Sequence, residues 1–266
     1  MKRLEEMFAN LRDKQEKALI SFVTAGDPAL DQLLPILNTL ADAGTDAIEI
    51  GLPFSDPIAD GPTIQASSQR ALDRGVTTQA VLEAIQGFTR VPLILMGYLN
   101  PMMRMGLPTF AQSAKNAGAS ATIVCDMIPE EGADWFADSR EAGLDNVLLA
   151  APTSTSERLL QVVNHAQGFI YAVSRTGVTG SGNQEAPEYV SLVERLRRMT
   201  DLPICVGFGI REPQDVRDVC QVADGAVVGS FLVDLIHREW KNGEGSVRIH
   251  DAVAALKAAT RAKADA

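Results

Sequence analysis

The segment ALISFVTAGDPALDQLLPILNTLADAGTDAIEIG, residues 18–51, decides the fold. It opens on a near-continuous apolar run (18–26), closes on a second (46–51), and holds a helical stretch between them. Apolar runs bounded by Gly, Pro, Asp or Ser fit strands of a parallel sheet covered on both faces. Asp27-Pro28 reads as an N-cap with a first-turn proline, and Leu30, Leu33, Leu34 and Leu37 follow at helical spacing. Pro35 inside that helix predicts a kink or a late restart. Ala43-Gly44 reads as a helix C-terminus feeding the next strand.

The same unit recurs along the chain. Further apolar runs stand at 91–98, 120–126, 146–152, 169–174, 203–209 and 225–230. Pro108 precedes Phe110, Ala114 and Ala117, and Pro213 precedes Val216, Val219 and Cys220. Ala117-Gly118 and Ala142-Gly143 repeat the helix-ending pair. A doubly wound sheet usually has fewer strands and a GxGxxG after the first, which is absent here. Eight strands with eight crossovers make an α/β chain of the (β/α)8 TIM-barrel class, with residues 1–266 as a single domain. The segment 2–13, with Leu4, Met7, Phe8 and Leu11 on one face, is expected as an extra N-terminal helix capping the barrel bottom. Residues 257–266, rich in Ala and Lys, are expected to fray.

Composition narrows the function. The 266 residues carry a formal net charge of -10, which argues against broad contact with a nucleic-acid backbone or an anionic membrane. An anionic small substrate needs local donors, because the global field does not attract it. Cys125, Cys205 and Cys220 form no CxxC pair and no His cluster accompanies them, so no disulfide framework and no metal site are indicated. The N-terminus MKRLEEMFANL carries Glu5 and Glu6 where a signal peptide is apolar, and no run reaches membrane-spanning length. The chain reads as cytoplasmic.

In this fold the active site lies where strands end and βα loops begin. The second strand and the loop after it, in DAIEIGLPFSDPIADGP (46–62), carry three carboxylates of interest, Glu49, Asp56 and Asp60. Ala47, Glu49 and Gly51 share one strand face, and Ile48, Ile50 and Leu52 share the other. If the more apolar set packs on the helices, Glu49 points into the barrel mouth, where a raised pKa poises it for proton transfer. Asp56 and Asp60 lie in a loop stiffened by Pro53, Pro57 and Pro62. Ser-Asp-Pro and Asp-Gly favour turns in any protein, so residue types alone leave the two aspartates indistinguishable from turn residues.

A second cluster points to phosphate. GFGI ends the seventh strand, and Gly229-Ser230 ends the eighth and opens a helix. Glycine N–H groups at a helix N-terminus bind phosphate without net positive charge, and barrels often place that site after strands 7 and 8. SRTGVTGSGN (174–183) is long and Gly-rich, as expected of a lid over the mouth. His165, His237 and His250 read as surface or packing residues, and Trp135 and Trp240 as packing residues.

FVTAGDP, IEIGLPFSDPIADGPTIQ, GFIYAVSRTGVTG, VGFGI and GAVVGS together resemble the tryptophan synthase α subunit, over about residues 4 to 260. The resemblance implies a lyase that cleaves indole-3-glycerol phosphate to indole and glyceraldehyde 3-phosphate by a retro-aldol step. It implies Glu49 as general acid/base and Asp60 as acceptor of the indole N–H. It places the phosphate on Gly180, Gly209, Gly229 and Ser230 beside Phe208. Phe22 and Tyr171 fall in the pocket, and Thr179 on the lid that closes onto the Asp60 loop. Pro53 and Asp56 fall on the side facing the β subunit, in an expected α2β2 heterotetramer whose pyridoxal phosphate belongs to the β subunit, leaving no cofactor on this chain.

The chain departs from the family pattern at GSGN in the lid, at GYLNP and at CDMIPEE, which touches lid dynamics and partner coupling more than the chemistry. The alternatives are a free-standing lyase that releases indole, or a mainly regulatory subunit. A sugar-phosphate isomerase lacks support, because its catalytic Lys or His at strand ends is missing.

Overall fold

The computed structural model describes residues 3–173, 187–207 and 209–261. Its nine strands are β1 (Ala18–Thr24), β2 (Ala47–Gly51), β3 (Leu93–Gly97), β4 (Ala119–Val124), β5 (Asp145–Asn146), β6 (Leu148–Ala150), β7 (Ile170–Val173), β8 (Ile204–Gly207) and β9 (Gly225–Val228). They pair in the order β5-β4-β3-β2-β1-β9-β8-β7-β6, every pairing parallel. The two outermost strands of that order are separated in the chain by Val147 alone. β5 pairs with β4 and β6 with β7, so the sheet closes on itself through one interrupted strand. The apolar run at 146–152 is therefore a broken fifth strand of a (β/α)8 barrel.

Two apolar layers follow from strand alternation. Ala18, Ile20, Ala47, Ile94, Ala121, Ile123, Val147, Phe169, Tyr171, Cys205 and Val227 point inward and fill the barrel. Helix α1 (Arg3–Asp13) adds Leu4, Phe8 and Leu11 to that inner cluster and closes its N-terminal end, as its one-sided apolar pattern predicts. The opposite strand faces, with Ile48, Ile50, Leu93 and Leu95 among them, pack on the surrounding helices.

Helix α2 (Leu33–Asp42) begins only after a 3-10 turn at Leu30–Gln32. Pro35 thus lies in the first helical turn, where a missing N–H breaks no intrahelical bond; this is the late restart. Asp27 is not its N-cap. Its carboxylate instead accepts from Arg70 Nε at 3.0 Å and Nη2 at 2.6 Å, on helix α3 (Pro62–Asp73), because a guanidinium fork satisfies a buried carboxylate better than a backbone N–H. Gly44, Gly118 and Gly143 take positive φ at helix ends, as the Ala-Gly pairs suggest.

The C-terminal stretch also departs from expectation. Lys257 is buried on the helix Ser246–Ala258, with its ammonium 2.8 Å from Asp46 and 3.3 Å from Glu16. Thr260 is buried as well. The chain is therefore clasped to the barrel bottom through Thr260 rather than frayed from residue 257.

Candidate active site

Glu49 occupies the middle of β2, level with Phe22 on β1 and Ile94 on β3. It shares the inward parity of Ala47, is fully buried, and neither carboxylate oxygen has a hydrogen-bond partner among the described residues. Loss of hydration, with no compensating donor, pushes its pKa up to about 8. A carboxyl in that state holds a proton it can give at neutral pH and accepts one readily afterwards.

The residues around it set the shape of the mouth. Gly51, two residues on, has no side chain because the Phe22 ring lies there: a Cβ at Gly51 would stand 2.5 Å from Phe22 Cζ. Gly207 on β8 is covered likewise by Tyr171, whose hydroxyl would lie 2.2 Å from an added Cβ. Tyr171 itself is buried in the barrel interior. A small cavity at the mouth is lined by Phe22, Asp60, Met96, Tyr98, Cys125 and Ile64, among others.

The proline-rich loop separates the two aspartates that residue types leave alike. Asp56 is exposed, and its carboxylate takes the Ser55 hydroxyl. Asp60 is half-buried and turned inward, where the Tyr98 hydroxyl donates to its Oδ2 at 3.0 Å. Burial raises the Asp60 pKa, and the Tyr98 bond opposes that rise. Tyr98 also accepts from the Ala59 N–H at 3.1 Å and stacks on Phe54. The sequence reading missed Tyr98; an aromatic at the end of β3, in GYLNP, was the available signal. Asp60 lines the mouth cavity together with Phe22, the β1 residue level with Glu49.

On the far side of the mouth, β8 and β9 are neighbours, with Gly207 level with Val227. Gly209 and Gly229 each follow the C-terminal end of one of these two neighbouring strands. Gly209 takes φ +76°, and Gly229 precedes the helix Ser230–Glu239, which starts at Ser230. A Cβ on Gly229 would lie 3.7 Å from Phe22 Cβ and 3.8 Å from Ile64 Cδ1. Phe22 thus stands between Glu49 and the glycine cluster. Thr179, Gly180 and Phe208, with the expected lid at 174–183, lie outside the described residues.

The remaining candidates fall elsewhere. His165 stacks on Phe136, while His237 and His250 sit on outer helices with partly exposed rings. Trp135 and Trp240 are packed in the outer layer. The three cysteines are unpaired, and no group of His, Cys, Asp or Glu suited to a metal ion exists among the described residues. No described helix is long and apolar enough to cross a membrane.

Residues 8–261 match the family model described as tryptophan synthase alpha chain. The chain belongs to the tryptophan synthase alpha chain family. An alpha chain from Acidithiobacillus ferrooxidans is 47% identical over 238 residues, covering 88% of each chain. Another from Desulfatibacillum aliphaticivorans is 42% identical over 264 residues, covering 98% of this chain and all of the relative. A solved tryptophan synthase structure from Mycobacterium tuberculosis superimposes with a TM-score of 0.89 at 36% identity, covering 98% of this chain and 99% of that one. This alpha chain is accordingly a lyase of tryptophan biosynthesis. It carries the alpha reaction, cleavage of indole-3-glycerol phosphate to indole and glyceraldehyde 3-phosphate, and its partner is the enzyme's beta subunit. In this family pyridoxal phosphate belongs to the beta subunit.

Proposed function

We propose that Glu49 is the general acid/base of the alpha reaction and Asp60 its electrostatic partner. The observation that carries this is the fully buried Glu49 carboxyl inside the barrel, without a hydrogen-bond partner among the described residues and with its pKa pushed up to about 8. Retro-aldol cleavage needs a proton delivered to C3 of the indole and a proton removed from the glycerol hydroxyl that becomes a carbonyl. A single carboxyl that gives the first and takes the second ends as it began, and its raised pKa suits both directions. While the bond breaks, the indole nitrogen carries positive charge. Asp60, with Oδ2 held by Tyr98, turns a negative charge toward the N–H.

The phosphate in this reading rests on the N–H groups of Gly209, Gly229 and Ser230, at the start of an outer helix whose dipole favours an anion. Gly180 and Phe208 complete that cradle and Thr179 the lid. Phe22 and Tyr171 wall the indole pocket. No cofactor is needed on this chain. Residues 1–266 act as one domain, in the cytoplasm, within an α2β2 assembly in which indole passes to the beta subunit. The docking side is the rim carrying Pro53, Asp56 and the exposed Ile58, with the exposed Met103 on the helix Leu99–Met105 after β3 and Ile128 in the segment after β4.

The test is an indole-3-glycerol phosphate cleavage assay of the wild type and Glu49→Gln, each with and without a beta subunit. Cleavage by the wild type, its acceleration by the beta subunit and its loss in a folded Glu49→Gln are the expected results. Near-wild-type turnover by Glu49→Gln removes the acid/base role. Full activity with no response to the beta subunit favours a free-standing lyase.

A further inference from the structure

Helix α3 follows the Asp60 loop directly: Gly61 is its N-cap and Pro62 its first residue. Gln65 Nε2 on its first turns donates to the Asp60 carbonyl at 2.9 Å. What α3 buries is unusual for a barrel helix, namely Ser67, Ser68 and Ala71. Such a face removes little apolar surface from water, so apolar burial alone registers the helix on the barrel only weakly. Two polar contacts to the end of β1 supply the registration instead. The Thr24 and Ser67 hydroxyls lie 2.6 Å apart and buried, and Asp27 takes the two bonds from Arg70. Between those contacts Gly26, at φ +86°, lets the backbone approach α3 so closely that a Cβ there would lie 2.5 Å from Val76 Cγ2 and 3.3 Å from Ala71 Cβ. His237, on the helix that begins at Ser230, brings Nδ1 to 3.8 Å from the same Asp27 carboxylate.

We propose that Asp27 and Arg70 are positioning residues for Asp60: their ion pair, with the Thr24–Ser67 bond, sets the seat of α3 on β1 and thereby the place of the Asp60 carboxylate opposite Glu49. This rests on the reading of Asp60 given above. From Pro62 to Arg70 is eight residues, about 12 Å of rigid helix at 1.5 Å per residue. A shift at the clasp is therefore delivered to the Asp60 end rather than absorbed along the way. The paired fork fixes angle as well as distance, which a single point charge does not. Misplacing a reacting group by about 1 Å costs on the order of 10²-fold in rate.

The experiment is a mutant cycle read by steady-state and single-turnover cleavage of indole-3-glycerol phosphate. Asp27→Asn/Arg70→Gln, which removes both charges together, and Arg70→Lys, which keeps the charge but not the fork, are each made in the wild type and in Asp60→Asn. In the wild-type background the double variant is expected to lose about 30- to 100-fold in kcat, and Arg70→Lys about 5- to 10-fold. KM and competitive inhibition by inorganic phosphate change less than about threefold in both, because the phosphate site is not displaced. In Asp60→Asn the same changes should cost less than about twofold, since residues acting through one group are not additive.

An equal loss in both backgrounds, or kcat within twofold of wild type, overturns the proposal. If the double variant does not fold, Arg70→Lys alone decides it by the same comparison. Near-wild-type turnover by Asp60→Asn alone instead removes the assignment of Asp60, and the proposal with it, so the two failures are told apart.

Discussion

Glu49 allows a prediction that needs no substrate. Moving a carboxyl from its ordinary 4.5 to about 8 disfavours the charged form by about 1.4 kcal/mol per pH unit, or about 5 kcal/mol in all. Below pH 4.5 the group is protonated in both folded and unfolded chains and has no effect. Between 4.5 and about 8 the folded chain keeps a proton that the unfolded chain has released, so stability falls as pH rises. Above about 8 the loss is complete. Glutamine has the same shape and no charge, so Glu49→Gln escapes this loss. The variant is expected to exceed the wild type in unfolding free energy by about 2 kcal/mol at pH 6 and about 5 kcal/mol at pH 9. Urea unfolding of both proteins at half-unit pH intervals measures the gap directly. A gap that stays constant within about 0.5 kcal/mol from pH 6 to 9 refutes the reasoning and shows that Glu49 is ionised at little cost in the folded chain.

Other expectations bear on the remaining contacts. Asp60→Asn should lower kcat by about 10²-fold or more while inorganic phosphate binding stays within threefold; Tyr98→Phe, which removes one bond to a charged acceptor, should lower it by about 10-fold. A large loss of phosphate binding in Asp60→Asn assigns that residue elsewhere. Lys257→Met leaves Asp46 and Glu16 without their shared cation and should destabilise the chain by about 3–5 kcal/mol in urea unfolding, without changing KM; a change under 1 kcal/mol would show the clasp to be inert. Ile58→Asp, at an 81% exposed position, should weaken beta-subunit binding at least tenfold in titration calorimetry with cleavage by the isolated chain retained.

The barrel was legible because each strand is a short apolar run with its own local punctuation, and Glu49 because strand parity is a local property. What escaped depends on partners far away in the chain. Asp27-Pro28 carries the local signature of a helix start, but Arg70, 43 residues on, takes its carboxylate. Lys257 lies in a stretch whose composition suggests fraying, and its partner Asp46 is 211 residues distant. Asp56 and Asp60 have equivalent turn chemistry, and in the structure burial and the bond from Tyr98, just past the end of β3, distinguish them. The break at Val147 left no mark in an apolar run.

That no described residue donates a hydrogen bond to Glu49 has a consequence for how such an enzyme can diverge. Its proton affinity comes from how thoroughly its surroundings exclude water, not from a dedicated neighbour. Phe22 and Tyr171 lie within that enclosure, and neither side chain donates a hydrogen bond to the carboxyl. With Glu49 as the proposed general acid/base, substitutions among them that loosen or tighten the enclosure are expected to shift the pH at which the enzyme works while that group stays the same. On that proposal, the working pH of this barrel is written in its hydrocarbon as much as in its acid.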